Sequence, residues 1–343
     1  MNNGAFLKAC TQPGDSVLNL FKCRNKAATI FRSLHLVKPI LLYPEIFNAM
    51  PRFNLSRSVK NLLLILVVLF VFRPWYSTAQ KAVVDVLTYN IRLATPDDAP
   101  NTWDNRRENV FSVIRSAAPD VFGLQEVLSS QLADLEAAFP GYTRIGVGRD
   151  DGKAAGEFSP VFFNTKRFSM LSSGTFWLSQ TPSVAGSRGW DAACNRVVSW
   201  VQLKDKKSSA VFLVFCTHFD HMGETARRNS SKLLLHAVDS LAGFKPVIVL
   251  GDFNAETDSE PYSILTDFSD RHHLVDAKQI CQTVTGPDYT FTGFKVGGQP
   301  GIRIDYIFIK NNVQALSYKV IETHSGEYYP SDHLPVSASL RLY

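Results

Sequence analysis

Apolar and polar positions alternate along the chain in a way that predicts many short strands and few helices after about residue 80. Apolar residues at helical spacing predict single helices over 104–118, 130–138 and 224–242, with a short helix near Pro261. Period-two alternation or short apolar runs predict strands over 84–91, 121–124, 142–147, 160–164, 168–178, 197–203, 210–217, 247–250, 304–309, 314–322 and 334–342. Single helices between many strands predict one domain of two packed sheets with helices outside.

One predicted strand carries candidate chemistry at its end. The apolar run from Val247 to Leu250 stops at Gly251 and is followed by Asp252 and Asn254. Residues two apart in an extended segment point the same way, so these two polar side chains should converge on one spot. A carboxylate can accept a proton from water or hold a cation, and an amide can donate to a phosphoryl oxygen. The alternative is an ordinary strand that ends in an Asx turn.

Composition and charge are those of an ordinary globular protein with an unusual amino-terminal region. Hydrophobic residues make up 45% and charged residues 20% of the 343 positions, which excludes disorder throughout. Residues 1–79 hold 10 of the 36 Lys/Arg and 2 of the 31 Asp/Glu, so they are strongly basic. The remaining residues hold 26 and 29, a net charge of −3. A mildly acidic domain does not favour tight non-specific binding to nucleic acid, which needs clustered Lys and Arg.

The amino-terminal region resembles a secretory signal with an extra segment before it. An apolar run from Leu62 to Phe72 follows a basic flank, and small residues stand at Ser77 and Ala79. The run is shorter than the about 20 apolar residues that span a bilayer. We expect residues 50–79 to be a signal peptide starting at Met50, and residues 1–49 to be upstream sequence that is not native. Export would take the protein to the periplasm or outside the cell, and an uncleaved membrane anchor is the alternative.

Cysteine usage gives little evidence for a metal or redox site. Beyond residue 79 the chain holds Cys194, Cys216 and Cys281, with no Cys-x-x-Cys pair, so a zinc site is not expected. Cys216 falls inside an apolar strand and is expected in the core. Export would permit a disulfide between Cys194 and Cys281, which the sequence does not establish.

Polar side chains stand at the ends of several other predicted strands. Each has an ordinary interpretation when taken alone: a turn for Asn90, a helix cap for Glu126, and a satisfied core histidine for His218. Asp305 lies just inside an apolar strand, where an unpaired carboxylate is costly. It therefore needs a partner, and His333 is a candidate.

Six short motifs together resemble the endonuclease/exonuclease/phosphatase superfamily, which includes pancreatic deoxyribonuclease, neutral sphingomyelinases and inositol polyphosphate 5-phosphatases. They are Tyr89-Asn90-Ile91, Leu124-Gln125-Glu126, Thr217-His218-Phe219, Gly251-Asp252-Phe253-Asn254, Ile304-Asp305-Tyr306 and Ser331-Asp332-His333. Each motif is weak alone, and their common order carries the resemblance. It implies a four-layer α/β sandwich, with two mostly antiparallel sheets flanked by helices, over residues 80–343. It also implies metal-dependent hydrolysis of phosphate esters.

The resemblance assigns roles to matching residues. Glu126 resembles the principal ligand of a divalent metal, Mg²⁺ or else Mn²⁺, with Asn90 and Asp332 beside it. Asp252 would activate the attacking water and Asn254 would hold a phosphoryl oxygen. His333, paired with Asp305, and His218, with Glu157 as its acidic partner, would offset charge in the transition state. Arg196 and Trp190 are candidate substrate-binding residues. The ordinary interpretation is an ion pair for Arg196 and a core position for Trp190.

These features predict a secreted, monomeric phosphoesterase that hydrolyses a phosphate mono- or diester with a metal-activated water. One alternative is a secreted nuclease acting on DNA or RNA, which the acidic domain does not favour. The other is a binding or scaffold relative that has lost activity. Arg92 stands two residues after Asn90, where some nuclease relatives carry an acid, and this puts a second acidic metal ligand in doubt.

Overall fold

The computed structural model describes residues 81–298 and 301–343. The expected signal peptide at 50–79 and the upstream segment 1–49 lie outside the described residues. Among the helices of the described part, none combines the length and apolar character that a membrane span requires.

Two mixed sheets form the centre of the domain. The seven-stranded sheet has the order β10-β12-β13-β1-β2-β4-β3, and the six-stranded sheet has the order β5-β6-β7-β8-β11-β9. The strands are β1 Ala82–Asn90, β2 Val121–Gln125, β3 Tyr142–Ile145, β4 Val161–Asn164, β5 Phe168–Trp177, β6 Val197–Asp205, β7 Val211–His218, β8 Val247–Asp252, β9 Val275–Asp276, β10 Val284–Thr285, β11 Asp305–Lys310, β12 Val313–Val320 and β13 Val336–Leu342. Most neighbouring strands are antiparallel, as expected, with parallel pairs at β1–β2, β7–β8 and β10–β12.

Helices cover the outer faces of the sheets. They are α1 Trp103–Ala117, α2 Ser129–Ala138, α3 Glu224–Ala242, α4 Glu260–Thr266 and α5 Ala277–Ile280, with a 3-10 turn at Pro96–Asp98. The sequence places the start of α1 at Asp104, but Thr102 is the residue at the N-cap position. The two-residue strands β9 and β10 and the one-turn helix α5 were not predicted, because two to four residues carry too little periodicity to be detected.

Alternation within the central strands separates the layers. In β8, Ile248 and Leu250 point between the sheets, whereas Val247 and Val249 pack under the α3 side chains Leu234 and Val238. The other sheet does the same: Val84 and Val86 of β1 face the inner core, and Leu87 and Tyr89 pack under α1 and α2. This confirms the four-layer α/β sandwich. A strand buried on both faces needs the continuous apolar run seen in β8.

The sheets approach each other closely at Gly123. A Cβ at this position would lie 2.8 Å from the Sγ of Cys216 on the facing sheet. Cys216 is fully buried in the core, as predicted. Cys194 and Cys281 are both free, so the disulfide between them does not form in this structure.

Strand direction brings the predicted polar residues to one edge. β1 and β2 are parallel, so Asn90 and the residue after Gln125 end side by side. In the facing sheet, β7 and β8 are parallel, and β11 runs back beside β8, which aligns His218 with Asp252 and Asp252 with Asp305. Both sheets therefore present their polar strand ends at the same edge of the sandwich.

Candidate active site

A cleft of ≈ 370 Å³ opens at this edge. Its lining residues come from the strand ends of both sheets and from the loops beside them: Arg92, Leu93, Glu126, Arg149, Glu157, Cys194, Arg196, His218, His221, Asp252, Asn254, Phe291, Ile302, Ile304, Asp332 and His333. Asn90 and Asp305 lie directly behind them, fully buried. Residues more than 200 positions apart in sequence thus share one cavity.

Asp252 is the centre of the hydrogen-bonding network. Its Oδ1 accepts from the Asn254 backbone N–H at 2.9 Å, and its Oδ2 accepts from Nδ2 of Asn90 at 3.0 Å. The same Oδ2 is 3.5 Å from Nε2 of His218 and 3.7 Å from Nε2 of His333. Burial and the neighbouring Asp305 carboxylate raise the pKa of Asp252 to about 7. A general base is most effective with a pKa in this region.

His333 forms the expected pair with Asp305. Its Nδ1 is 2.8 Å from Oδ2 of Asp305, and both side chains are buried. Burial alone would lower the pKa of His333, but the Asp305 and Asp252 carboxylates outweigh it and raise that pKa well above its usual value. His333 is therefore an imidazolium that points its other nitrogen, Nε2, toward Asp252.

His218 is in a different electrostatic environment. Burial, with the charges of Arg196 and Arg149, holds its pKa well below the usual value. Nδ2 of Asn254 lies 3.0 Å from Nε2 of His218 and donates a hydrogen bond to this unprotonated nitrogen of the neutral ring. The expected pairing with Glu157 is wrong: Nδ1 of His218 has no hydrogen-bond partner among the described residues, and the Glu157 carboxylate is bound by Arg149 at 2.7 Å. His218 is thus a neutral hydrogen-bonding group, and the expected second cation is absent at this position.

Glu126 and Asp332 provide the oxygen atoms that a hard divalent cation prefers. Glu126 accepts from Nδ2 of Asn90 and from the Leu93 N–H, each at 3.1 Å. Burial raises the pKa of Asp332, and the nearby Glu126 carboxylate raises it further. A bound cation would relieve both effects, so the residues present fit a divalent metal ion.

Asn90 has a different position from the one expected of a metal ligand. Its Nδ2 donates to both Glu126 and Asp252, and its Oδ1 accepts from the Arg92 N–H at 3.0 Å. It orients the candidate ligand Glu126 and the candidate base Asp252. Side-chain amide orientation is assigned from such networks, and both carboxylates require the nitrogen here.

Three cleft residues have left-handed backbone conformations: Arg92 with φ 57°, Glu126 with φ 61° and Asn254 with φ 46°. Such conformations cost about 1 kcal/mol or more for residues other than glycine and concentrate at functional sites. Each one lies one or two residues after a strand end, where the turn directs the side chain into the cleft.

Arg196 lines the cleft and is held by a buried carboxylate. Its Nε is 3.4 Å from Asp220, its Nη2 is 3.0 Å from Nδ1 of His221, and its buried Nη1 has no partner among the described residues. Trp190, the other candidate substrate-binding residue, is not among the side chains that line the cleft. Its backbone N–H donates a hydrogen bond to the Gln180 side chain in the preceding loop.

The sequence left Asp220 open as either a support of neighbouring site residues or part of a solvated turn, and in the structure it holds together the loops that carry Cys194, Arg196 and His221. It accepts hydrogen bonds from the backbone N–H groups of Ala193, Cys194, Met222 and Gly223. Cys194, Asp220 and His221 also lie close enough to hold a metal. The four N–H donors and Arg196 already occupy the Asp220 oxygens, so this cluster is a structural anchor.

Arg106 is a residue that sequence reasoning missed. It is buried on α1, and its guanidinium donates to the carbonyls of Ile91, Arg92 and Leu93 and also to Pro330. One side chain thereby ties the segment after β1 to the segment that carries Asp332. No motif marks this arginine, because backbone carbonyls leave no trace in a sequence.

The geometry can be compared with known proteins. A family model described as the Endonuclease/Exonuclease/phosphatase family matches residues 87–333. The chain belongs to this family. Members of the Endonuclease/Exonuclease/phosphatase family are hydrolases that act on phosphate esters, and they generally use divalent metal ions.

Solved structures of bacterial family members are similar over nearly their whole length. An endonuclease/exonuclease/phosphatase from Bacteroides vulgatus is 39% identical with a TM-score of 0.73, and the match covers 76% of this chain and 100% of that one. A mannosyl-6-phosphatase from Bacteroides thetaiotaomicron is 34% identical with a TM-score of 0.71, covering 75% and 99%.

Curated relatives are more distant. The CCR4-NOT transcription complex subunit 6-like-B of Xenopus laevis is 27% identical over 200 residues, which is 51% of this chain. The match covers 35% of that protein, so this chain spans about a third of its length.

Proposed function

We propose that this chain is a divalent-metal-dependent phosphatase that removes phosphate from a small, sugar-like phosphate monoester. The observation that carries the reaction type is the buried group of Asp252, His333 and Asp305, whose ligand-capable atoms lie within 4.8 Å of one another beside the Glu126 and Asp332 carboxylates. A base and a cation in contact at the edge of a metal-compatible cleft suit in-line attack of water on phosphorus.

The residues divide the work as follows. Asp252 accepts the proton of the attacking water. Nδ2 of Asn254, which here donates to Nε2 of His218 and to the Phe219 carbonyl, exchanges one of these hydrogen bonds for one to a phosphoryl oxygen. The imidazolium of His333 offsets the negative charge that develops as the bond from phosphorus to the leaving oxygen breaks. A divalent ion held by Glu126 and Asp332, Mg²⁺ or Mn²⁺, would supply Lewis-acid polarisation of the phosphoryl group.

The size and charge of the site support a small substrate. A volume of ≈ 370 Å³ is near the lower end of ligand pockets, which range over about 300–1,000 Å³. The unpartnered Nη1 of Arg196 offers a donor for the second negative charge that a monoester carries and a diester lacks. The net charge of −3 on residues 80–343 does not favour a nucleic-acid backbone. The 34% identity to a mannosyl-6-phosphatase supports the sugar.

A substrate panel tests this proposal. Phosphate release would be measured from mannose 6-phosphate, glucose 6-phosphate and p-nitrophenyl phosphate, alongside bis-p-nitrophenyl phosphate, plasmid and single-stranded DNA, with Mg²⁺, Mn²⁺ or EDTA. We expect metal-dependent turnover of a sugar phosphate and none of the nucleic acids. Asp252→Asn, purified identically, controls for contaminating phosphatases. Plasmid cleavage without monoester turnover would select the nuclease instead, and no turnover with no metal binding would select the scaffold.

Export is part of the proposal. The apolar run from Leu62 to Phe72 with its basic flank supports secretion, with cleavage after Ala79. Amino-terminal sequencing of the protein recovered from a cell fraction is the test. A chain that begins at Gln80 outside the cytoplasm is expected, and an intact chain in the membrane fraction would select the anchor.

A further inference from the structure

A fixed positive charge stands beside the candidate metal ligands. Nη1 of Arg92 is 3.7 Å from Oε2 of Glu126, and its Nε is 4.0 Å from Oδ2 of Asp332. These separations are too long for hydrogen bonds but short for charges of opposite sign. The guanidinium therefore attracts the two carboxylates through its charge but makes no hydrogen bond to their oxygen atoms.

Hydrogen bonds hold both the backbone and the guanidinium of Arg92 in this position. Asp98 binds its guanidinium through two hydrogen bonds, at 2.9 and 3.0 Å. The Arg92 N–H donates to Asn90, and its carbonyl accepts from Arg106 at 2.7 Å and Gln131 at 2.9 Å. A side chain with its backbone and its head group both tied cannot swing away when a cation arrives. The double hydrogen bond with Asp98 also keeps the guanidinium from moving onto Glu126.

The consequence concerns how many metal ions the centre can hold. We propose that Arg92 is a resident cation of this centre: it occupies the flank of Glu126 and Asp332 where a second divalent ion would bind, so the site takes a single ion. The inference rests on the metal centre of the proposed function. A guanidinium within about 4 Å of both carboxylates repels an incoming ion and lowers its affinity, and a second ion on the same flank would meet that charge at close range.

Metal binding without substrate tests this. Mn²⁺ binding would be followed by titration calorimetry and by electron paramagnetic resonance of free Mn²⁺. The wild-type protein should bind one ion, and Glu126→Gln should abolish that binding. Arg92→Gln, which removes the charge and keeps a polar side chain, should bind its first ion at least about fivefold more tightly or take up a second. Arg92→Lys retains the charge but cannot make the double hydrogen bond with Asp98, so it should bind one ion and no more tightly than wild type.

Two further variants make the result decisive. Arg107→Gln removes an exposed arginine of α1 that pairs with Asp104, outside the cleft, and should leave Mn²⁺ binding unchanged. If Arg92→Gln does not fold, Asp98→Asn replaces it: a released Arg92 can close on Glu126, so affinity should fall at least threefold. Unchanged or weaker binding of a single ion by Arg92→Gln, or unchanged binding by Asp98→Asn, overturns the proposal. Because no substrate is used, failure of the phosphatase assay would not change the Mn²⁺-binding result. Failure of the Arg92 prediction would likewise not change the result of the phosphatase assay.

Discussion

At the scale of single residues, the two cleft histidines show how neighbours set charge. Burial pushes the pKa of both His218 and His333 down. Two carboxylates beside His333 reverse the effect, whereas two arginines beside His218 add to it. His333 is therefore a cation and His218 a neutral hydrogen-bond acceptor, although both belong to short polar motifs beside strand ends. The family resemblance predicted two cations, and the prediction of Glu157 as the acidic partner of His218 was wrong.

The pH profile should report this difference. Replacing Asp305 with Asn removes a charge that holds the His333 pKa up, so the imidazolium should lose its proton at lower pH than in the wild type. We expect kcat/KM to fall by about 100-fold and its alkaline limb to move to lower pH. The measurement is kcat/KM against pH for both proteins. An alkaline limb that stays in place would mean that His333 does not need its charge.

At the scale of elements, α1 contributes to the site through Arg106 and not through any residue in the cleft. Its guanidinium is the link between the loop after β1 and the loop before β13. It also stacks over Trp103 at 5.2 Å and Phe294 at 5.5 Å. A helix thus fixes the separation of Asn90 and Asp332, which lie at the ends of two adjacent strands.

Arg106→Lys should therefore weaken both folding and metal binding. Lysine keeps the charge but cannot span two loops with one planar group. We expect a loss of about 2–4 kcal/mol in the free energy of unfolding, since several charged hydrogen bonds to buried carbonyls are lost. Mn²⁺ affinity should fall by about tenfold or more, as is usual when a ligand's support is removed. Urea denaturation and calorimetry measure the two effects, and Arg107→Lys, one residue along the same helix, should change neither.

Asp220 stabilises the two loops beside Arg196, at 193–194 and 222–223, and this stabilisation should depend on pH. Burial alone would raise the pKa of Asp220, but the backbone N–H groups of Gly223, Ala193, Cys194 and Met222 outweigh it and hold that pKa well below its usual range. A depressed carboxyl pKa contributes stability that is present above the unfolded value of about 3.9 and is lost as the pH falls below it.

Asp220→Asn should consequently be destabilised at neutral pH and less so in acid. Asparagine places an N–H₂ group against backbone donors, so we expect a cost of about 2 kcal/mol at pH 7. The gap to wild type should narrow as the pH falls below about 4, because Asp220 takes up a proton in the unfolded wild-type chain there while the folded carboxyl stays charged. Denaturant midpoints from pH 7 to pH 3 check this. A gap that is constant with pH would show that charge is not what Asp220 contributes.

At the scale of the whole molecule, the site lies at a junction between two sheets, and each sheet contributes two carboxylates to it. Glu126 and Asp332 come from the seven-stranded sheet, and Asp252 and Asp305 come from the other. Their carboxylates repel one another, with Arg92 and His333 as the balancing charges described here. The fold tolerates this concentration of like charge at its edge.

Metal removal should abolish turnover and leave the fold intact. EDTA is expected to stop phosphate release while circular dichroism stays unchanged, since the sandwich has its own core. Adding Mn²⁺ at about 100 times its Kd should stabilise the protein by about 2.7 kcal/mol and raise Tm by several degrees. Glu126→Gln should not show the shift. A rise in Tm that persists in this variant would place the ion elsewhere.

The sequence by itself determined the layers and the parts of the site. Alternation and apolar runs located the longer strands and helices to within a few residues, because side-chain periods of 2 and 3.6 are local properties. Polar residues at the ends of buried strands marked Asp252, Asn254 and Glu126. Asp305, just inside an apolar strand, was paired with His333 because a buried unpaired carboxylate is costly.

Only the tertiary structure decided the contacts that carry no local signal. The partner of Glu157, the charge of His218 and the positions of Arg92 and Trp190 depend on which loops meet at the sheet edge. Arg106 and Asp220 bind backbone groups, and backbone groups are identical at nearly every position, so no sequence pattern distinguishes their targets. Periodicity fixes which face a side chain takes, whereas a charge or a ligand position is set by distances between segments that the chain order does not specify.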